Sequence, residues 1–199
     1  MYKKQQGFTL IEIAIVLVII GLLLGGVLKG QEMITNAKIK RLENDFNGLL
    51  SAVYSYQDRY QSLPGDDAAA AGRWAAVTRS GNGNGLIAGN WNSTRATDES
   101  RLFWQHLRAS GLITGDSSST TLATNAYNGQ IGIEDASMGL NGLVVCMGGI
   151  PGPIAEIIDI RLDDGDGTTG QLRGDTTPNP GTDSDPYTEA GTFYICKKV

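Results

Sequence analysis

Hydrophobic residues are distributed in two different ways along the first third of this 199-residue chain. From Phe8 to Leu28 the run is almost continuous, and Thr9 and Glu12 are its clearly polar members. A helix of that length rises about 31 Å, which is close to the hydrocarbon thickness of a bilayer. The pattern therefore predicts a transmembrane helix over residues 8–29.

After Lys29 the pattern becomes amphipathic. Its apolar side chains recur three or four positions apart, at Ile39, Leu42, Phe46, Leu49, Val53, Tyr56 and Tyr60. This spacing places them on one face of a helix, while charged and amide side chains occupy the other faces. Pro64, in the segment LPGDD, ends the pattern because proline cannot continue a helix. We predict that residues 30–63 form the second half of one long helix and pack against a sheet.

Residues 64–199 predict a globular head. The segment TDESRLFWQHLRASG predicts a helix, because acidic residues fill its first turn and Gly111 follows its last apolar residues. Glycine alternates with β-branched and apolar residues from Gln130 to Met147, which predicts two strands, and GTFYICKKV predicts a terminal strand. A long helix followed by an antiparallel sheet is an α+β arrangement.

The segment PGPIAEIIDIRLDDG fits two structures. Ile158, Ile160 and Leu162 alternate as they do in a strand. Ile154, Ile158 and Leu162 also fit one face of a helix that has Pro153 at its start. We favour the helix.

Composition narrows the function without identifying it. The net charge is −5 and the isoelectric point is about 4.8, which argues against a surface that neutralises nucleic-acid phosphates and leaves open only a small local basic patch. We expect no nucleic-acid partner. His106 is the single histidine, and no nucleophile lies near it in the sequence. A lone helical histidine is typical of a structural role, so we expect no enzymatic activity.

The first residues, MYKKQQG, carry two lysines and no acid. Basic residues before an apolar span predict that the N-terminus lies in the cytoplasm and the body on the far side of the membrane. A secretory signal would have a small-residue cleavage site after its apolar core, and this chain has none there. The one feature typical of processing, Gly7, lies before the run.

Glu12 is the unusual residue of the apolar run. A carboxylate in the hydrocarbon core costs about 2.5–3.5 kcal/mol on insertion scales. Either the side chain lies close enough to the lipid headgroups to stay hydrated, or it has a charged partner.

The sequence GFTLIE after a short basic leader resembles the N-terminal signature of type IV prepilins and of the related pseudopilins. The resemblance implies that residues 1–7 are a leader peptide and that prepilin peptidase cleaves between Gly7 and Phe8. It also implies methylation of the new Phe8 amine. Glu12 is then expected to pair with the N-terminal amine of a neighbouring subunit, as a register device more than a source of stability.

The same resemblance implies a pilin-like fold and a structural function. Single-pass subunits lie in the bacterial inner membrane with the body in the periplasm, before an inner-membrane assembly platform draws them into a homo-oligomeric helical filament. The product is a pilus at the cell surface. Two other roles stay open, namely a pseudopilin of a type II secretion system, which forms a periplasmic pseudopilus, and a minor tip pilin with an adhesin or DNA-uptake role.

Cys146 and Cys196 are the two cysteines. Because the predicted topology places them in an oxidising compartment, we expect them to form a disulfide. The alternative is two unpaired, buried thiols. The bridge would close a polar C-terminal loop, as it does in many type IV pilins.

The segment LDDGDGTTG contains Asp163, Asp164 and Asp166. Carboxylates alternating with glycines offer the hard oxygen ligands that calcium prefers, although the twelfth-position glutamate of an EF-hand is missing. The alternative is an acidic turn that is simply solvated. Major pseudopilins of type II secretion carry calcium in this part of the chain, so calcium is the one cofactor that we consider.

Overall fold

The structure is a computed structural model that describes residues 7–199. Ile39–Val199 form one compact unit, and the described residues up to Lys38 form another. A single helix, α1, covers Leu10–Tyr60, as the two hydrophobic patterns predict.

Helix α1 ends at Tyr60 because the next residue leaves the helical conformation. Gln61 has a φ of 52°, and its side-chain amide donates to the carbonyl oxygens of Gln57 and Asp58 at 3.3 and 3.0 Å. The Gln57 carbonyl also accepts the backbone N–H of Gln61 at 2.8 Å, so the side chain adds a second bond there and a bond to the otherwise free carbonyl of Asp58. The side chain therefore caps the helix three residues before Pro64.

The rest of the chain contributes three shorter helices and five strands. The helices are α2 (Ala70–Arg73), α3 (Glu99–Ala109) and α4 (Gly152–Leu162). The strands are β1 (Ala123–Thr124), β2 (Gln130–Ser137), β3 (Leu140–Pro151), β4 (Leu172–Asp175) and β5 (Thr192–Lys198).

The strands form one antiparallel sheet in the order β1-β2-β3-β5-β4. Strand β3 lies at its centre between β2 and β5, and Cys146 of β3 faces Cys196 of β5 directly. The terminal strand β5 separates β3 from β4, so the C-terminus of the chain is paired on both sides. The sheet and the long helix confirm the predicted α+β, pilin-like fold class.

Successive residues of β3 enter two different hydrophobic clusters. Val145 and Met147 pack with the buried stripe of α1, whereas Val144 and Cys146 pack in a second cluster with Trp91. Because successive strand side chains point to opposite faces, the two clusters lie on opposite faces of the sheet. The buried positions of α1 are Ile39, Leu42, Phe46, Leu49, Ala52, Val53 and Tyr56.

Trp91 covers the face of the sheet opposite α1. Its backbone N–H donates to Glu134 at 3.0 Å, and its indole Nε1 donates to the carbonyl oxygen of Pro178 at 2.7 Å. Gly132 and Gly148 make room for it, since a Cβ on Gly132 would overlap the Trp91 carbonyl and one on Gly148 would lie 3.1 Å from the indole. The indole therefore joins a loop before the sheet to the loop after β4.

His106 holds the loop after α1 against α3. Its Nδ1 accepts the Gly65 N–H at 2.9 Å, and its Nε2 lies 3.4 Å from the carbonyl oxygen of Arg79. This arrangement requires the neutral tautomer with the proton on Nε2. The ring is fully buried, and burial lowers its pKa. Both contacts are to backbone atoms, which is the structural role that the sequence predicts.

The ambiguous segment is the helix α4, so the favoured alternative is confirmed. Helix α3 begins after Asp98 without a side-chain cap. Asp98 stands at the N-cap position, but its side chain makes no capping bond. Instead its Oδ2 accepts the Ser93 hydroxyl at 2.6 Å, and its Oδ1 lies 3.7 Å from the Arg95 guanidinium. The carboxylate organises the preceding loop rather than the helix end.

The first prediction concerns pH. Because folding favours neutral His106, its contribution to the free energy of unfolding is complete above its unfolded pKa of 6.5 and is lost as the pH falls below that value. Protonation also removes the acceptor of the Gly65 N–H. We expect the wild-type protein to lose stability between pH 7.5 and pH 5.5 in urea unfolding.

His106→Gln is the matched variant for this test, since an amide oxygen can still accept the Gly65 N–H without titrating. Glu134 and Asp159, whose pKa burial raises, titrate in both proteins and cancel in the comparison. An equal pH slope for the variant and the wild type would contradict the assignment to His106.

Candidate functional site

The first half of α1 presents its apolar side chains to the outside. The large exposed side chains extend from Phe8, which is 84 % exposed, to Ile34. In the described chain no residue of the most apolar stretch of α1 is buried, and the helix is long and apolar enough to cross a membrane. An exposed apolar surface of this extent marks a site of interaction with lipid or protein.

Thr9 and Glu12 bond to each other at the start of α1. The Glu12 carboxylate accepts both the backbone N–H and the hydroxyl of Thr9 at 2.8 Å, and the Thr9 hydroxyl lies 3.3 Å from the Glu12 backbone nitrogen. This reciprocal pattern is a capping box, in which the residue before the helix and its third residue satisfy each other's free N–H groups. The carboxylate is thereby held at the positive end of the helix dipole.

The predicted leader, residues 1–7, ends where the described residues begin. Residues 1–6 of this leader lie outside the described residues. Gly7 and Phe8 are described and exposed, and they precede the first residue of α1. The predicted cleavage point between them therefore lies just before the Thr9–Glu12 cap.

The predicted disulfide between Cys146 and Cys196 is confirmed. It joins β3 to β5 across a sequence separation of 50 residues, and both cysteines are fully buried. Trp91 packs in the same cluster, and Tyr194 packs on it with its ring centroid 5.9 Å from that of Trp91. The bridge therefore fixes both ends of the polar C-terminal loop to the centre of the sheet.

The acidic segment brings together a set of carboxylates that differs by one residue from the predicted set. Carboxylate oxygens of Asp159, Asp163 and Asp164 lie within 4.8 Å of one another, and Asp166 is not in that group. Asp159 is fully buried at the end of α4, whereas Asp163 and Asp164 are exposed. Burial raises the pKa of Asp159, and the charges of Asp164 and Asp163 raise it further.

These carboxylates already accept hydrogen bonds within the chain. Asp159 accepts from the Tyr187 hydroxyl at 2.9 Å, and Asp163 accepts from the backbone N–H groups of Gln171 and Leu172. Asp164 accepts the Asp166 backbone N–H at 3.0 Å and the Thr169 hydroxyl at 2.7 Å, and these bonds lower its pKa. The group has the charge and the oxygen donors that fit a hard divalent cation, and it also serves as the internal support of an acidic turn.

The hydrophobic and polar patterns do not predict the roles of Thr9, Asp159 and Trp91. Thr9 has a sequence signal, the spacing T-x-x-E before an apolar run, which is typical of a capping box. Asp159 lies four residues before Asp163, at the end of α4. Once this segment is accepted as a helix, that spacing places Asp159 beside the acidic turn. Trp91 has no local signal, because its two hydrogen-bond partners are 43 and 87 residues away.

Residues 2–28 match the family described as the prokaryotic N-terminal methylation motif. This motif is typical of type IV pilins and pseudopilins. In general it implies processing by prepilin peptidase and filament assembly. Together with the exposed apolar helix, it fits membrane anchoring. No curated protein and no solved structure matches the chain. The comparisons thus support a type IV pilin or pseudopilin-like protein of structural type.

The second prediction concerns the disulfide. Replacing both cysteines by alanine is expected to lower the free energy of unfolding by about 4 kcal/mol, because the unfolded chain regains the freedom of a 50-residue loop. Urea unfolding followed by tryptophan fluorescence measures this change.

Reductant provides the control. It should lower the urea midpoint of the wild-type protein and leave that of the double alanine variant unchanged. Thiol labelling shows when reduction is complete. A wild-type urea midpoint that stays constant at that point would contradict the predicted stabilisation.

Proposed function

We propose that this chain is a structural subunit of a type IV pilus-like filament, inserted in the bacterial inner membrane and polymerised through its N-terminal helix. The observation that carries the proposal is the methylation motif at residues 2–28, which coincides with an apolar helix surface that the head leaves uncovered. Prepilin peptidase cleaves after Gly7, and the amine of Phe8 is then methylated.

Before assembly, lipid covers the apolar half of α1. Lys3 and Lys4 precede the span and support an orientation with the N-terminus in the cytoplasm and the head in the periplasm. In the filament, the same side chains pack against the helices of neighbouring subunits. The exchange of lipid for helix contacts is driven by close packing, because both environments are apolar.

Glu12 gives this exchange its register. In the single chain its carboxylate is bonded by Thr9, so the charge is partly satisfied at the helix start. Cleavage creates a cationic amine on Phe8, and in a low-dielectric environment a carboxylate and an amine of two subunits attract strongly. Docking of the second subunit supplies the ion pair that the Thr9 cap cannot provide.

The third prediction tests this role. Glu12→Ala is expected to leave cleavage largely intact and to impair filament assembly, because the amine of the neighbouring subunit has no partner. Mass spectrometry of the membrane subunit reports cleavage, and electron microscopy of sheared cell-surface material reports filaments.

Two variants frame this result. Glu32→Ala removes another acid of α1, one that pairs with Lys29 at 2.8 Å on an exposed surface, and should assemble normally. Gly7→Ala should instead retain the leader on the membrane subunit. Normal piliation of Glu12→Ala would refute the pairing, and a correctly shortened Gly7→Ala chain would refute the cleavage position.

A second candidate function is a pseudopilin of a type II secretion system, which forms a periplasmic filament. The observation that favours it is the group of Asp159, Asp163 and Asp164, whose donors fit calcium. In that case the ion would stabilise the segment between α4 and β4, where the carboxylates repel one another, and would act as a structural cofactor.

The fourth prediction separates the two functions. If the carboxylates hold calcium, an excess of the ion at a hundred times its dissociation constant raises the free energy of unfolding by about 2.7 kcal/mol, and a chelator reverses the change. Asp163→Asn combined with Asp164→Asn should remove the response. Asp183→Asn, an exposed acid outside the group, is the charge control. Identical thermal midpoints in calcium and in chelator would favour the pilus.

A further inference from the structure

Five asparagines of this chain are followed by glycine, at positions 47, 82, 84, 128 and 141. Asn-Gly is the dipeptide most open to deamidation, because glycine places no side chain between its backbone nitrogen and the preceding amide carbon. The glycine nitrogen loses its proton and attacks the asparagine Cγ. A C–N bond forms, ammonia leaves with the proton, and water opens the resulting succinimide to aspartate or isoaspartate.

This reaction needs a glycine nitrogen that is free to lose its proton and to approach Cγ. A hydrogen bond that engages the glycine N–H opposes both steps. A carboxylate acceptor opposes them most strongly, since deprotonation would place a second negative charge beside it. The hydrogen bonds of each glycine therefore rank the five sites.

The Asp66 carboxylate engages the glycine that follows each of the two asparagines of the loop 82–85. Its Oδ1 accepts the Gly83 N–H at 2.6 Å, and its Oδ2 accepts the Gly85 N–H at 2.7 Å. Asp66 is buried, with a relative exposure of 4 %, although the loop itself is exposed. Both attacking nitrogens of this loop are thus held by one carboxylate.

Two further sites are held in other ways. The Gly129 N–H donates to the side-chain oxygen of Asn125 at 3.1 Å, and Asn125 is buried. Asn47 and Gly48 lie inside helix α1, where the backbone N–H groups are bonded along the helix. Attack at either site requires that these hydrogen bonds break first.

The remaining site, Asn141–Gly142, lies in a β-bulge. Asp135 pairs with Leu143 and Ser137 pairs with Leu140, so two residues of β3 stand opposite one residue of β2. The extra residue of a bulge is unpaired and interrupts the ladder. Asn141 and Gly142 are both exposed, Gly142 has a φ of 88°, and no atom lies within 4 Å of the position of a Cβ on it.

We propose that Asn141 is the chain's site of spontaneous deamidation, and that the Asp66 carboxylate excludes Asn82 and Asn84 from the same reaction. The product places a negative charge, or the extra backbone carbon of isoaspartate, in the β2–β3 bulge. The β2–β3 hairpin therefore deamidates, whereas the loop 82–85, which is also exposed, does not.

The test uses the full-length wild-type chain in detergent micelles, incubated at pH 8 and 37 °C and sampled over time. Peptide mapping by mass spectrometry follows the mass gain of amide-to-acid conversion at each of the five asparagines. We expect Asn141 to react about tenfold or more faster than Asn82 and Asn84, as expected from the strength of hydrogen bonds to charged groups. Wild-type chain unfolded in urea supplies the reference rate of each site without structure.

Asp66→Asn tests the protecting role, since the neutral amide cannot oppose deprotonation as a carboxylate does. Asn82 and Asn84 should then react at rates near their unfolded reference, while Asn47 and Asn128 stay slow. If all four of these asparagines accelerate together, Asp66→Asn has unfolded the protein. The milder variant Asp66→Glu then decides the question, and it should show intermediate rates at Asn82 and Asn84 alone. Equal wild-type rates at Asn82, Asn84 and Asn141, or unchanged rates in both Asp66 variants, would overturn the proposal.

Discussion

The first half of α1 carries apolar surface that the described residues do not cover, and this constraint governs the rest of the chain. A helix that is apolar on all sides requires an apolar environment all around it, from lipid or from other helices. The second half of α1 has the opposite design, because it buries one stripe against the sheet. One element therefore combines an exposed apolar segment with the central support of a folded head.

The head depends on a sheet whose two faces are covered by different means. The stripe of α1 covers one face with side chains that are close together in the sequence. The other face is covered by Trp91, the Cys146–Cys196 bridge and Tyr194, which come from distant parts of the chain. Glycines at 132 and 148 are required on that face, since larger residues would displace the indole or its backbone. A covalent bond at the centre compensates for the small size of this second cluster.

The parts of the fold that follow from periodic patterns could be predicted from the sequence. One long helix at the N-terminus, the helix at α3, the strands β2 and β3 and the terminal strand follow from local spacing and from breakers such as Pro64. The end of α1 at Tyr60, three residues before the predicted end at residue 63, depends on the conformation of Gln61 and does not. The covering of the second sheet face could not be predicted, because the partners of Trp91 are 43 and 87 residues away. The observed carboxylate group could not be fully predicted either. It includes Asp159, whose place beside Asp163 and Asp164 depends on the folded helix α4.

The acidic composition has a structural explanation that is independent of ligands. A head rich in glycine has long loops, and their backbone N–H groups require acceptors when they lie against the core. Carboxylates provide these acceptors repeatedly. Glu99 bonds the N–H groups of Asn82 and Ala88, both at 2.9 Å, and Glu134 bonds that of Trp91. High glycine content and excess negative charge are therefore linked, because buried acids fix loops that have few apolar contacts of their own.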